Sequence, residues 1–383
     1  MPDVELFAIR IGCLLVLDKV YTEGHQAGPE DQQRARQISQ EIMRRIRESP
    51  IVVEEPKEDL GPTGHWSDVT VFGQEPPKRA ALEFGDRVVF KAHWPRKNQE
   101  LFHHSGPCLE DFTLTYNGAI YATTVQCDKP IDPSYSFLFG REGHRILKAI
   151  LAPSDQWDLE VVGPSPMGPV FYIAFADDPS EYSFGRELIR EGDTSESLLV
   201  MPRPAVANPI EAVGDVLEEL FFPADMYYAA MIARLGFYHE LESLYSSFDN
   251  ATKLYRGTLD PLPPDPRRWL SRVASSRKLR GAIGMAYTHY AELEEKRAAA
   301  RRMTDLAARA FAGHPLLEPH RSSPGDEMAD VFEWQGHHIL EASRFLVEES
   351  RSQRLELATW QGPLVAALIG GGAGALVALL LGG

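Results

Sequence analysis

The sequence predicts an α+β fold in three parts: a mixed α/β domain over residues 1–205, an α-helical bundle and stalk over 209–362, and one C-terminal transmembrane helix over 363–382. Three observations carry this expectation. β-rich runs and amphipathic stripes alternate up to about residue 205. Strand signals then give way to long helical periodicities. Finally, Leu364–Leu381 reads LVAALIGGGAGALVALLL, with no charged side chain.

Composition narrows the function classes. The chain has 383 residues, of which 44% are hydrophobic, 10% aromatic and 25% charged. Such a mixture excludes wholesale disorder, a collagen-like repeat and a polytopic membrane protein. A net charge of -16 argues against a surface that grips nucleic acid, so no DNA partner is expected. Cys13, Cys108 and Cys127 are the only cysteines, too few for a disulfide framework. Arg outnumbers Lys amid much Ala, Gly and Pro, which points to a GC-rich bacterial source.

At the N-terminus, Asp3 and Glu5 replace the basic start of a secretory signal and Arg10 splits the apolar run. Leu6–Leu17 therefore reads as a buried strand, and the bulk of the chain as cytoplasmic. Pro29–Arg47 reads as a helix, because Ile38, Ile42, Met43 and Ile46 form one apolar stripe among many charges. Pro50–Pro77, rich in Pro, Gly and acid, reads as loop apart from a short strand at Asp68–Phe72. Strands follow at Asp86–Ala92, Phe112–Tyr116 and Ala119–Gln126. Asn117-Gly118 between the last two predicts a type I′ hairpin, with positive φ at both residues. A helix over Arg141–Leu151 and strands at Leu159–Val162, Val170–Phe175 and Leu198–Met201 complete the domain.

Beyond residue 209 the first helix is expected over Ala224–Tyr255, opening behind Pro223 so that Asp225 complements the helix dipole. Gly257–Pro266 breaks the chain by proline density, and a second helix is expected over Arg267–Ala312. His314–Asp326 breaks it again. In the third helix Met328, Phe332, Gln335, Ile339, Ala342 and Leu346 follow the 3–4 alternation of a coiled coil, or equally of a three-helix bundle. Residues 267–309 hold eleven Lys and Arg against four acids, the one strongly basic stretch of an acidic chain. Arg267, Arg268, Arg272, Arg277, Lys278 and Arg280 form a patch that would face an anionic lipid leaflet, with RNA or a nucleotide as a rival ligand and a solvated helix face pairing with the acidic N-terminal domain as the bland alternative.

Leu364–Leu381 as a helix spans about 27 Å, close to the hydrocarbon core. Trp360 sits where an interfacial aromatic belongs. Gly370, Gly371 and Gly374 supply a small-xxx-small face, so self-association of that helix is expected. The layout of an α/β domain, long helices and a membrane helix resembles that of CorA-type magnesium channels. Those channels have two membrane helices and a Gly-Met-Asn signature, where this chain has one and Gly284-Met285-Ala286 falls in a charged helix, so no family is assigned.

No motif forces a chemistry: GxxxxGK[ST], GxGxxG after a strand, HExxH, paired CxxC and GxSxG are all absent. His103, His104 and Cys108 with Cys127 have zinc-ligand chemistry, but adjacent histidines rarely face one ion. Gly163-Pro164-Ser165-Pro166-Met167-Gly168-Pro169 reads as a rigid partner-binding loop. Ser165 is a poor nucleophile there, since Pro166 has no N–H to offer an oxyanion. Glu218–Tyr228 reads as capping and core packing or as a docking surface. No metal, cofactor or catalytic residue is expected. The sequence thus points to a non-enzymatic membrane effector or scaffold at the bacterial inner membrane, with the lipid bilayer, a second copy of itself and a protein partner as ligands. A membrane-tethered hydrolase-like enzyme using residues 163–169 or 103–108, or an anchored subunit of a larger complex, are the alternatives.

Overall fold

The computed structural model describes residues 5–20, 29–57, 65–70, 78–84, 87–99, 109–128, 130–131, 133–162, 167, 170–177, 196–203, 209–256, 266–334, 336, 339 and 341–348. They belong to two compact units, one drawn from Met1–Phe237 with Lys296–Phe332 and the other from Tyr238–Glu295 with Glu333–Gly383.

The first unit is built on a ten-stranded mixed sheet. Its strands are β1 (Glu5–Asp18), β2 (Val52–Lys57), β3 (His65–Thr70), β4 (Lys78–Glu83), β5 (Val88–His93), β6 (Asp111–Tyr116), β7 (Ile120–Cys127), β8 (Trp157–Val161), β9 (Val170–Ala176) and β10 (Glu196–Pro202). The main order is β10-β9-β1-β7-β6-β5-β2, all antiparallel except β10 on β9.

The apolar β1 organises everything around it. Leu6–Cys13 pair with β7 and Glu5–Ile9 with β9, while Leu14–Asp18 pair with β8 and Leu17 meets Ala81 of β4. The backbone N–H of Met167 donates to Ile11 O at 2.8 Å, between the β8 and β9 pairings. Nearly every residue of β1 is buried, which requires cover on both faces of the sheet.

Helices α1 (Pro29–Glu48) and α2 (Pro133–Leu151) supply one cover. Ala35, Ile38, Ile42 and Ile46 of α1 and Phe139, Ile146, Leu147 and Ile150 of α2 share a core with Leu6, Ala8, Leu14 and Val16. That alternate set follows from the two-residue period of a strand. The remaining cover comes from the first part of α3 (Pro209–Arg256), the last part of α4 (Pro266–Ala312) and the turns that follow. Tyr228 donates its hydroxyl to Ile11 O at 3.3 Å, the Ser197 hydroxyl meets His320 Nε2 at 2.7 Å, and Tyr227 stacks on Phe311. Arg234 closes this layer with a 2.7 Å ion pair to Asp330.

Several expectations are corrected. The expected fold class, with its C-terminal transmembrane helix, is not supported. No helix among the described residues is long and apolar enough to cross a membrane. The two longest, α3 and α4, carry charges along their whole length, which hydrocarbon does not tolerate. The fold of the described residues is mixed α/β, and the transmembrane, single-pass, tail-anchored description finds no support among them. Residues 363–382, Trp360, Gly370, Gly371 and Gly374 lie outside the described residues.

The third helix is not continuous either. Two five-residue helices, α5 (Ser323–Glu327) and α6 (Ala329–Glu333), are divided at Met328, and helix resumes over 341–348. Helix α3 starts at Pro209 and runs through Pro223, so Asp225 is an interior residue and not a dipole-complementing acid. Two strands, β2 and β4, lie in or beside the stretch expected as loop. Pro56 is tolerated in β2 because, among the described residues, that strand pairs only with β5, through shifted register, at the end of the main order. The Asn117-Gly118 hairpin forms, but only Gly118 has positive φ, at 97°. The Asn117 side chain instead accepts from the N–H groups of Ala119 and Ile120, an Asx-type turn in place of type I′.

Candidate functional site

In the second unit, α3 and α4 run antiparallel. Glu240 of α3 meets His289 of α4 toward one end, while Ala251 shares a small core with Leu279, Ala282 and Ile283 toward the other. Leu346, from the helical residues 341–348, completes that core, and Phe248, Leu254 and Tyr255 pack against it. Tyr255 meets Phe345 edge-on at 6.4 Å.

The end of this hairpin that holds Ala251 and Leu279 is basic. Lys253 and Arg256 are exposed on α3, and Arg277, Lys278 and Arg280 are exposed on α4 around the buried Leu279. Lys253 is engaged by Asp249, one turn earlier, at 2.5 Å. Phe345 and Val347 lie beside the same small core yet are 57% and 40% exposed. Cationic and apolar side chains are thus offered together. Of the expected basic patch, Arg277, Lys278 and Arg280 are brought to one exposed end. Arg267, Arg268 and Arg272 lie within α4, and their side chains are outside the described set.

Sequence reasoning missed a second cluster in this unit. His289 Nδ1 is 2.5 Å from Glu240 Oε1 and 3.6 Å from Glu292 Oε2. Helical spacing puts His289 and Glu292 on one face of α4, and the hairpin brings Glu240 to it. His289-Tyr290-Ala291-Glu292 was a visible i, i+3 pair; its partner 49 residues earlier was not.

The sheet unit holds buried polar groups of its own. Arg10 lies in the middle of β1, 2% exposed, with Tyr121, Tyr172 and Tyr228 around it. Burial pulls its guanidinium down to about 10, a change the nearby tyrosine oxygens oppose. Asp225 sits against Glu83 and accepts a hydrogen bond from the Asn117 side chain. Burial first, and then the Glu83 carboxylate, push its acid up to about 6. His144 of α2 is held down to about 4 by burial and then by Lys148 and Arg141. Cys13 and Cys127 carry thiols raised by burial, Cys127 to about 12, so neither is an activated nucleophile.

The other expected sites are accounted for as follows. Gly163, Pro164, Ser165, Pro166 and Gly168 of the expected partner-binding loop lie outside the described residues, as do His103, His104 and Cys108. Met167 of that loop is fully buried. In the aromatic run, Phe221, Tyr227 and Tyr228 are buried, as core packing requires, and Phe222 is exposed.

The class defined by this fold is a mixed α/β sheet protein with a helical hairpin. No family model and no solved structure matches the chain. ATP synthase subunit alpha of Wigglesworthia glossinidia brevipalpis is 29% identical over 115 residues, 30% of this chain. The chain spans 22% of that relative's length.

Proposed function

We propose that this protein is a non-enzymatic effector or scaffold that docks on the anionic surface of a bilayer through the basic end of its helical hairpin, while its sheet unit engages a protein partner. One observation carries the reading: Lys253, Arg256, Arg277, Lys278 and Arg280 are exposed at the same end of the hairpin as the exposed Phe345 and Val347, in a chain of net charge -16. An acidic protein is repelled by anionic lipid, so a confined basic end sets the orientation of approach. Each basic residue near such a surface is attracted by about 1 kcal/mol, and apolar side chains beside them add burial at the headgroup boundary. The partial match to an ATP synthase subunit covers too little of that protein to carry an activity across.

The test is cosedimentation of the full chain with vesicles of phosphatidylcholine alone or with phosphatidylglycerol added. The wild type pellets with the anionic vesicles and is released by salt. Combining Arg277→Glu, Lys278→Glu and Arg280→Glu weakens this on the order of a hundredfold. Equal binding to neutral vesicles, or unchanged binding of the triple variant, overturns the reading.

A further inference from the structure

We infer that Glu240, His289 and Glu292 form a binding site for one first-row divalent cation of borderline softness, such as zinc. The inference is independent of the bilayer reading. Three observations support it. The first is donor chemistry: one imidazole nitrogen and two carboxylates are a set that suits zinc, manganese or ferrous iron better than calcium or magnesium, which favour all-oxygen shells. The second is convergence, since one ligand atom from each residue lies within 4.8 Å of the other two.

The third is charge. Among the described residues, neither Glu240 nor Glu292 has a Lys or Arg partner, and His289 is the one basic group that each of them meets. Two carboxylates thus share a single imidazole at the junction of two helices. Their formal charge of two matches a divalent ion with neutral histidine.

The geometry also says what must move. Around a cation with bonds of about 2.1 Å, neighbouring tetrahedral ligand atoms stand roughly 3.4 Å apart. The 3.6 Å between His289 Nδ1 and Glu292 already meets this spacing. The 2.5 Å between His289 Nδ1 and Glu240 is that of a hydrogen bond. It must open by about 1 Å for both atoms to face one ion. Rotation of the Glu240 side chain suffices, with the imidazole presenting an unprotonated Nδ1 and keeping its proton on Nε2. The three side chains are 12%, 24% and 51% exposed, from Glu240 through His289 to Glu292. The ion thus enters from the Glu292 side, where water fills the remaining coordination.

The experiment strips the full chain with chelator and titrates it with zinc chloride, and separately with magnesium chloride, by calorimetry at neutral pH. One equivalent of zinc is expected to bind, without competition from equimolar magnesium, and to raise the melting temperature. Glu240→Gln, His289→Gln and Glu292→Gln each weaken that binding at least tenfold. Each also abolishes the zinc-dependent rise in melting temperature. Glu292→Gln alters a half-exposed residue, so its metal-free melting matches the wild type even if the other two variants fold poorly. Absence of zinc binding overturns the inference, and so does zinc binding that Glu292→Gln leaves unchanged.

Discussion

Gly143 of α2 lies so close to Thr123 of β7 that a β-carbon on the glycine would fall inside the threonine side chain. A helix reaches a sheet this closely only where one of the two carries no side chain. Thr123 is fully buried, and its hydroxyl has no hydrogen-bond partner among the described residues, so it has no room to retreat. Gly143→Ala is therefore expected to destabilise the sheet unit by about 1–3 kcal/mol through overpacking, although alanine is the better helix former. Urea denaturation should show a lower midpoint with an unchanged slope.

Asp225 gives the fold a definite response to pH. Its carboxyl titrates near 6 in the folded chain against an ordinary value of 3.8, so the folded state holds the proton more tightly. The linked stabilisation is fully present below about 4 and is lost as pH rises through 6, an effect on the order of 3 kcal/mol. Asp225→Asn keeps an acceptor for Asn117 and removes the cost of ionisation. The variant should gain stability over the wild type at pH 7.5 but not at pH 4.5, as read by denaturant unfolding at the two values. Equal gains at both would mean that Asp225 does not titrate in this window.

His144 has the opposite sign. Burial, Lys148 and Arg141 all disfavour its charged form, so folding keeps the ring neutral down to about 4 against an ordinary 6.5. Stability associated with this neutral ring is present above 6.5 and is lost as pH falls toward 4. His144→Gln should flatten that acid limb, measured as the change in melting temperature between pH 7 and pH 5. Asp225→Asn should steepen the net loss over the same range.

Leu279 is fully buried in the helical unit, where it clusters with Ala251, Ala282, Ile283 and Leu346. Leu279→Ala is expected to cost about 2–5 kcal/mol and to open the helical unit selectively. Limited proteolysis should then cut within 238–295 while fragments containing β1 through β9 persist.

How far these features were legible differs from element to element. The apolar run of β1, the stripe of α1 and the extent of α4 were plain, because each is a periodic pattern read within one segment. Strand β4, Lys-Arg-Ala-Ala-Leu-Glu, has the local preferences of a helix and is a strand because β3 and β1 pair with it. Pro223 reads as a helix start, yet α3 runs through it, losing one backbone hydrogen bond while Tyr227 and Tyr228 beyond it stay packed. Of the candidate sites, the basic residues at 277–280 were legible because they adjoin in sequence. The meetings of Glu240 with His289, and of Asp225 with Asn117 and Glu83, were not. Each joins segments dozens of residues apart, and no spacing rule connects them.

The first strand also sets an order of events during synthesis. Glu5–Asp18 leaves the ribosome before any of its neighbours, yet Ile9 pairs with Thr124 and Glu5 with Phe175. One edge of this apolar strand can pair with β7 once Cys127 is made, but the edge that β9 covers must wait, open, until some 170 further residues have been translated. A nascent chain in that state is a substrate for holding chaperones, and any truncation that stops short of β9 leaves the Glu5–Ile9 edge open. Soluble fragments of this protein are thus expected to contain both β1 and β9, or neither.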